Sequence, residues 1–348
     1  MEPKTSTRGP SASARFAISF VFGIVLGAVI VLGRAHGDLD KTAFGDGLLV
    51  RSIAARIGAA PQDVNSVVAS RGTSLRYGRI GMPAAAWLLA GGKPHEVRLT
   101  HPIVVILATG FTAAAAAALF PFAGPLAAML PFLAPGFPLS VAGGYGEVTA
   151  VAAALWGLYF ALRERWWPAA ALLSYAILSK ETAGIVLIGV CIWCLLQRRF
   201  RGLVIMATSL VPVLAWWGYV AVRYGHIPIL DPYLTVTTDT TDLGIPGRAL
   251  LHSLLHPIST EALVMTLITI ALAIVLLALM RRSAFGIIGA PSIIQLFGAA
   301  PFAWKFIGDA ARLFTFLQLF VVFAIVASAR RRWVIPEALA PPARQVST

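Results

Sequence analysis

Asp46 and Gly47 stand in F-G-D-G-L-L-V-R-S-I-A-A-R-I-G, residues 44–58, just after a long apolar run at residues 16–33. An acidic residue at the mouth of a first membrane span, followed by a short amphipathic helix, suits a membrane enzyme. Such an enzyme draws one substrate from the lipid and another from the outer face. With residues 46–58 read as a helix, Leu49, Ile53 and Ile57 recur at i, i+4 and i+8, with Val50 and Ala54 beside them. That apolar stripe fits the membrane plane. Arg51 points away from the stripe, and Arg56 sits at its edge, where it can snorkel to a phosphate. The plainer reading is an interfacial helix for which Asp46 is only the N-cap.

Other charged residues recur at the ends of apolar runs. R-Y-G-R-I-G-M-P-A-A-A-W-L-L-A, residues 76–90, places Arg76 and Arg79 before a proline-started helix with Trp87 one turn in. Guanidiniums at a helix N-terminus form a phosphate site, or, more simply, Arg and Trp anchor the helix at the interface. Glu147 opens an apolar run, where a carboxylate favours the helix dipole. S-K-E-T at 179–182 sets Lys180 beside Glu181, for structural ion pairing or for chemistry. K-F-I-G-D-A-A-R at 305–312 is a further charged turn, and Asp231 and Asp309 add acids on the same side. Charges at bundle ends are costly unless paired or wet, so each is a functional candidate.

These residues need a scaffold of membrane helices. The chain has 348 residues, 58% hydrophobic and only 12% charged, against roughly 25% charged in soluble domains. The apolar runs are continuous, which excludes the alternating pattern of a β-barrel. The fold expected is all-α, a polytopic bundle of about ten spans. Spans fit residues 16–33, 101–120, 147–162, 166–179, 183–197, 202–222, 259–280, 283–299 and 312–328. Residues 121–141 are apolar but hold five prolines, so a broken or re-entrant segment is expected there. R-A-H-G after the first run is a poor cleavage site, so that run reads as a retained span. Residues 1–14 and 333–348 read as disordered cytoplasmic tails around a membrane domain at 15–332, with outer loops at 34–79 and 223–258.

The net charge is +13. In a membrane protein this reflects basic loops at anionic headgroups rather than nucleic-acid binding. Arginines cluster at 163–165, 198–201, 281–282 and 330–332, all on one side if 121–141 re-enters. That side is expected to be cytoplasmic together with both termini, in a cell membrane. Cys191 and Cys194 form C-I-W-C inside an apolar run and read as packing. There is no glycine-rich nucleotide loop and no His/Asp cluster with metal-ligand spacing, so no cofactor is expected; a divalent ion bridging Asp46 and a lipid phosphate has no support in these residues.

D-G-x-x-x-x-R at Asp46, Gly47 and Arg51, R-Y-x-R-I-x-x-P-x-x-A-W-L-L-A from Arg76, the span-opening Glu147, and K-E-T at 180–182 occur in this order. Together they resemble bacterial multi-span proteins of cell-surface glycopolymer formation. Those are similar to the GT-C superfamily of polyprenyl-phosphate-sugar-dependent glycosyltransferases. The resemblance implies a GT-C-like bundle and an inverting transfer of sugar from a polyprenyl-phosphate donor to a glycan or lipid acceptor on the outer face. It implies Asp46 as general base and Arg76, Arg79 and Lys180 as cations for the departing phosphate, with Arg51, Glu147 and Glu181 at the substrate. Where the family carries aromatic residues and Gln around the acid, this chain has Gly45, Leu48, Leu49 and Val50. Those departures keep a non-catalytic scaffold as an alternative. A transporter or flippase of lipid-linked sugars is a second alternative.

Overall fold

The computed structural model describes residues 11–36, 38–57, 77–225, 227–228, 248–257, 259–298 and 311–330. The described residues form helices and connecting turns, with no strand among them.

Helix α1 spans Ala12–Ala35 and starts earlier than the hydropathy pattern indicates, because the Ser11 hydroxyl accepts the Ala14 N–H at 3.2 Å. That side-chain cap satisfies an otherwise orphaned donor. The buried residues of α1 are Ser19, Gly23, Gly27, Val31 and Ala35, one every fourth position. This small-residue stripe lies on α4, Val97–Leu119. A Cβ added at Gly23 would sit 2.7 Å from the Ala113 Cβ, so the two backbones approach as closely as glycine allows. The opposite face of α1 leaves Val21, Val25 and Val29 exposed, as a lipid-facing surface requires.

Between them, α2 (Asp46–Ala55) and α3 (Gly81–Leu89) pack on each other and on α4. Ile53 and Ala54 are buried, and Ile53 packs beside Tyr77 and Val220. Part of the stripe expected to lie on lipid is therefore taken up by protein contacts, and Ile57 falls beyond the helix end.

The proline-rich stretch is broken, as its composition implies. A 3₁₀ run at Pro121–Leu133 and α5, Gly136–Gly143, meet at 75°, and Gly124 is left-handed at φ +58°. Then α6 (Glu147–Leu162) and α7 (Trp166–Ser179) form a tightly packed hairpin, with α6 buried against α4 as well. They are followed by α8 (Gly184–Leu196), α9 (Phe200–Thr208), α10 (Leu210–Tyr224), α11 (Arg248–Leu255) and α12 (Thr260–Leu279). Three further helices, α13 (Ala284–Gly289), α14 (Ile294–Gly298) and α15 (Thr315–Ala329), close the bundle. Phe120, Phe285 and Phe323 stack where the proline-rich segment, α13 and α15 meet, with Phe120 4.9 Å from each of the other two ring centres.

Among the described residues, four helical stretches can cross a membrane by length and composition: Ala12–Ala35, Pro94–Leu119, Phe200–Arg223 and Thr260–Leu279. The bent pair makes five if it counts as one span. That is fewer than the roughly ten expected from hydropathy. The difference lies in α6, α7, α8, α13 with α14, and α15, which belong to the shorter apolar helices of 10–17 residues.

Candidate functional site

The charged site is assembled around a break between α7 and α8. Lys180 ends α7 in an extended conformation, φ −157° and ψ 121°. Lys180 is extended whereas Glu181 opens a 3₁₀ turn, Glu181–Ala183, so the backbone changes direction between the two side chains. Lys180 turns to one neighbour, and its Nζ lies 2.9 Å from Glu147 Oε1. Glu181 turns to the other and accepts two hydrogen bonds from Arg79, from Nε and Nη2, each 2.7 Å. Two glycines allow this closeness. A Cβ on Gly81 would collide with Ser179, and one on Gly146 would lie 2.7 Å from the Ser179 carbonyl oxygen. Gly81 opens α3 two residues after Arg79, and Gly146 directly precedes Glu147, so both partners are drawn against the 179–181 break.

Asp46 reaches the same place from the segment after α1. It is the first residue of α2, and Gly45 before it is left-handed at φ +51°. The N-cap position therefore belongs to Gly45, so the N-cap role read for Asp46 is corrected here. Phe44 donates its N–H to the Gly143 carbonyl at 3.3 Å, and a Cβ on Gly47 would strike that same oxygen. This staple sets the Asp46 segment on the Gly143–Gly144 turn. His101, fully buried in α4, supports the turn from behind with Nε2 3.1 Å from the Gly144 carbonyl oxygen. Phe44 and Tyr145 meet edge to face at 5.3 Å.

The residue that joins these parts is Arg312. Its Nη2 donates to Asp46 Oδ2 at 2.9 Å, its Nε lies 3.8 Å from Glu147 Oε1, and its guanidinium covers the Tyr145 ring at 3.9 Å. Gln318 holds the Arg312 segment in place. It accepts the Gly136 N–H at 2.9 Å and donates to the Ala311 carbonyl at 3.2 Å. Arg312 lies within K-F-I-G-D-A-A-R, so the sequence marks the turn; the partner of the arginine is set by tertiary structure. Tyr145 carries no sequence signal beyond its place in G-G-Y-G-E.

Of the residues singled out from sequence, Asp46, Arg79, Glu147, Lys180 and Glu181 belong to this one network. Arg51 does not. Its guanidinium donates to the carbonyls of Leu39 at 3.1 Å and Asp40 at 3.2 Å, which fixes the turn before α2. Arg51 thus braces the turn that precedes the Asp46 helix. Arg76, Asp231 and Asp309 lie outside the described residues.

Three carboxylates, Asp46, Glu147 and Glu181, face three cations, Arg79, Lys180 and Arg312. Burial varies among them. The side chains of Glu147 and Lys180 are 5% and 7% exposed, whereas that of Asp46 is 44% exposed. Asp46 is therefore the member most open to an arriving ligand. Burial opposes its ionisation, but Lys180, Arg312 and Arg79 outweigh that and hold it below the usual carboxylate range. In the turn between α7 and α8, burial likewise works against Glu181, yet Arg79 and Lys180 bring it down to about 2. Arg79 is pushed upward, since Glu181, Glu147 and Asp46 overcome its burial. Asp46 is thus held ionised by its three neighbouring cations. Among the described residues no three His, Cys, Asp or Glu side chains converge as a metal-ligand set.

Comparison with known proteins finds no matching family model, no matching curated protein and no matching solved structure.

Proposed function

We propose that this protein is a membrane glycosyltransferase that moves a sugar from a polyprenyl-phosphate donor to a glycan or lipid acceptor at the outer face, with inversion. The observation that carries the reading is the Asp46 arrangement. An ionised, half-exposed carboxylate stands at the rim of a buried cation cluster formed by Lys180, Arg312 and Arg79. In the reaction an acceptor oxygen attacks the anomeric carbon, the bond from that carbon to the phosphate oxygen breaks, and the electron pair leaves with the phosphate. The acceptor proton passes to Asp46. The departing phosphate needs cations rather than an acid. A bound phosphate competes with Asp46 for Arg312, which raises the proton affinity of Asp46 as the base is needed.

In this proposal the bent pair crosses the membrane instead of re-entering it, and with the four long helices and the five shorter apolar stretches it gives about ten membrane passages. Shorter helices of the interior are tolerated where neighbouring protein supplies the surroundings. α2 then lies at the interface, the termini and the arginine turns are cytoplasmic in a cell membrane, and the partners are membrane lipids and the lipid-linked donor, with no nucleic acid.

The test is transfer of radiolabelled sugar from polyprenyl-phosphate donors in proteoliposomes, for wild type and Asp46→Asn. A folded Asp46→Asn protein is expected to lose about 10²–10⁴-fold of the rate. Unchanged transfer removes Asp46 as the base. One observation favours a second reading, a non-catalytic scaffold: each carboxylate of the cluster has a cation partner, as a purely structural network requires. Absence of transfer from any of a broad donor panel favours that scaffold.

A further inference from the structure

A cavity of about 520 Å³ opens at the end of the bundle away from Asp46. α6 runs from Glu147 to Leu162, about 24 Å at 1.5 Å per residue. Glu147 and the turn at 163–165 therefore lie at opposite ends of that helix. The cavity is lined by Glu164 and Arg165 of this turn, Trp166 and Trp167 of α7, and Arg199 and Arg201 at the start of α9. Trp166 packs on Gly202, where an added Cβ would lie 2.9 Å from its ring, and this contact holds the two turns together as one wall.

The charge of this wall is unbalanced. Arg199 is neutralised by Glu164 at 2.6 Å and lies 4.9 Å over the Trp193 ring. Arg165 and Arg201 are exposed, and among the described residues neither has a carboxylate partner. Three guanidiniums thus face one carboxylate. The first turns of α7 and α9 also line the cavity, and neither N-terminus is closed by a side-chain cap. Uncapped N–H groups and the positive helix ends add to the attraction for an anion. Guanidiniums match phosphate oxygens in geometry as well as in charge.

The rim of the cavity is apolar. Trp167, which lines it, is 63% exposed, and on α9, whose start lines it, Phe200 and Val204 are 60% and 67% exposed. A soluble phosphate has no use for such a rim, whereas an acyl chain does. Basic turns at the end of a membrane bundle attract anionic lipid headgroups. We propose that this cavity is a binding site for the phosphate headgroup of an anionic membrane lipid. Arg165 and Arg201 hold the phosphate, and Trp167 and Phe200 contact the upper acyl chains. This inference is independent of the transferase reading.

The test is native mass spectrometry of the full chain in detergent, titrated with phosphatidylglycerol, phosphatidylcholine or glycerol 3-phosphate. Phosphatidylglycerol is expected to be retained over phosphatidylcholine, and R165Q/R201Q to weaken that retention by about tenfold or more. R281Q/R282Q removes a basic turn elsewhere and is expected to leave retention unchanged. If R281Q/R282Q weakens binding as much, or R165Q/R201Q does not, lipid attraction is diffuse and the site is overturned. If glycerol 3-phosphate binds as tightly as the lipid, the lipid assignment is overturned in favour of a soluble phosphate. Both arginines are exposed, so the double variant is expected to fold; should it not, R201Q alone decides by the same readout.

Discussion

Arg312 donates to Asp46 at 2.9 Å across 266 positions of chain, and its other face rests on Tyr145. This contact ties the last helical region to the segment after α1 and, with Lys180 and Arg79, adds to the positive charge around the candidate base.

Replacing Arg312 with Gln is expected to change pH dependence more than stability. Asp46 is partly exposed, so the pair contributes roughly 0–1 kcal/mol. Arg312 is one of the cations that lower the Asp46 pKa. Its removal raises that pKa, so the acid limb of the transfer-rate profile moves to higher pH. Rates measured from pH 3 to 7 check this, and an unmoved acid limb separates Asp46 from the reaction.

Glu147 and Lys180 form the most buried pair of the network. Glu147→Gln or Lys180→Met alone leaves a buried charge without its partner, an expected loss of about 3–5 kcal/mol. The double variant is expected to regain much of that loss. Thermal unfolding of the four proteins in one detergent gives the coupling. A double variant as unstable as the sum of the singles would falsify direct pairing.

Glu181 supplies a pH-dependent part of stability. Its folded pKa lies near 2, below its ordinary 4.5. A depressed carboxylate stabilises above the unfolded pKa and loses that contribution as pH falls through the folded one. The Arg79–Glu181 contribution is therefore complete above about pH 5 and fades toward pH 2, on the order of 3 kcal/mol in all. Glu181→Gln is expected to flatten stability over that window in detergent-based unfolding.

Gly47 tests the staple that sets Asp46. A Cβ there meets the Gly143 carbonyl, whereas one on Gly33 meets nothing within 4 Å. Gly47→Ala is expected to lower the unfolding temperature and to reduce transfer. Gly33→Ala, inside α1, is expected to stabilise by about 0.5–1 kcal/mol, because alanine loses less backbone entropy on folding. Equal effects of the two substitutions would remove the close approach as the cause.

The helical class was readable in the chain because continuous apolar runs can satisfy their backbone only within a helix in lipid. The limits of α6, α7 and α8 fall close to the apolar runs at 147–162, 166–179 and 183–197, since charged residues end each run. The break in the proline-rich stretch was legible for the same local reason, missing backbone donors. So was the gathering of charges at run ends, among them Asp46, Glu147, Lys180 and Glu181. Pairing was not legible. Nothing in S-K-E-T says that Lys180 turns to Glu147 and Glu181 to Arg79; the extended backbone at Lys180 and the glycines at 81 and 146 decide that. Arg51 matched a motif, yet it holds the turn before α2, because the Leu39 and Asp40 carbonyls lie within its reach. Arg312 joins Asp46 only because the helix bundle brings distant segments together, and charge pairing over such a separation depends on three-dimensional distance, which local sequence does not encode.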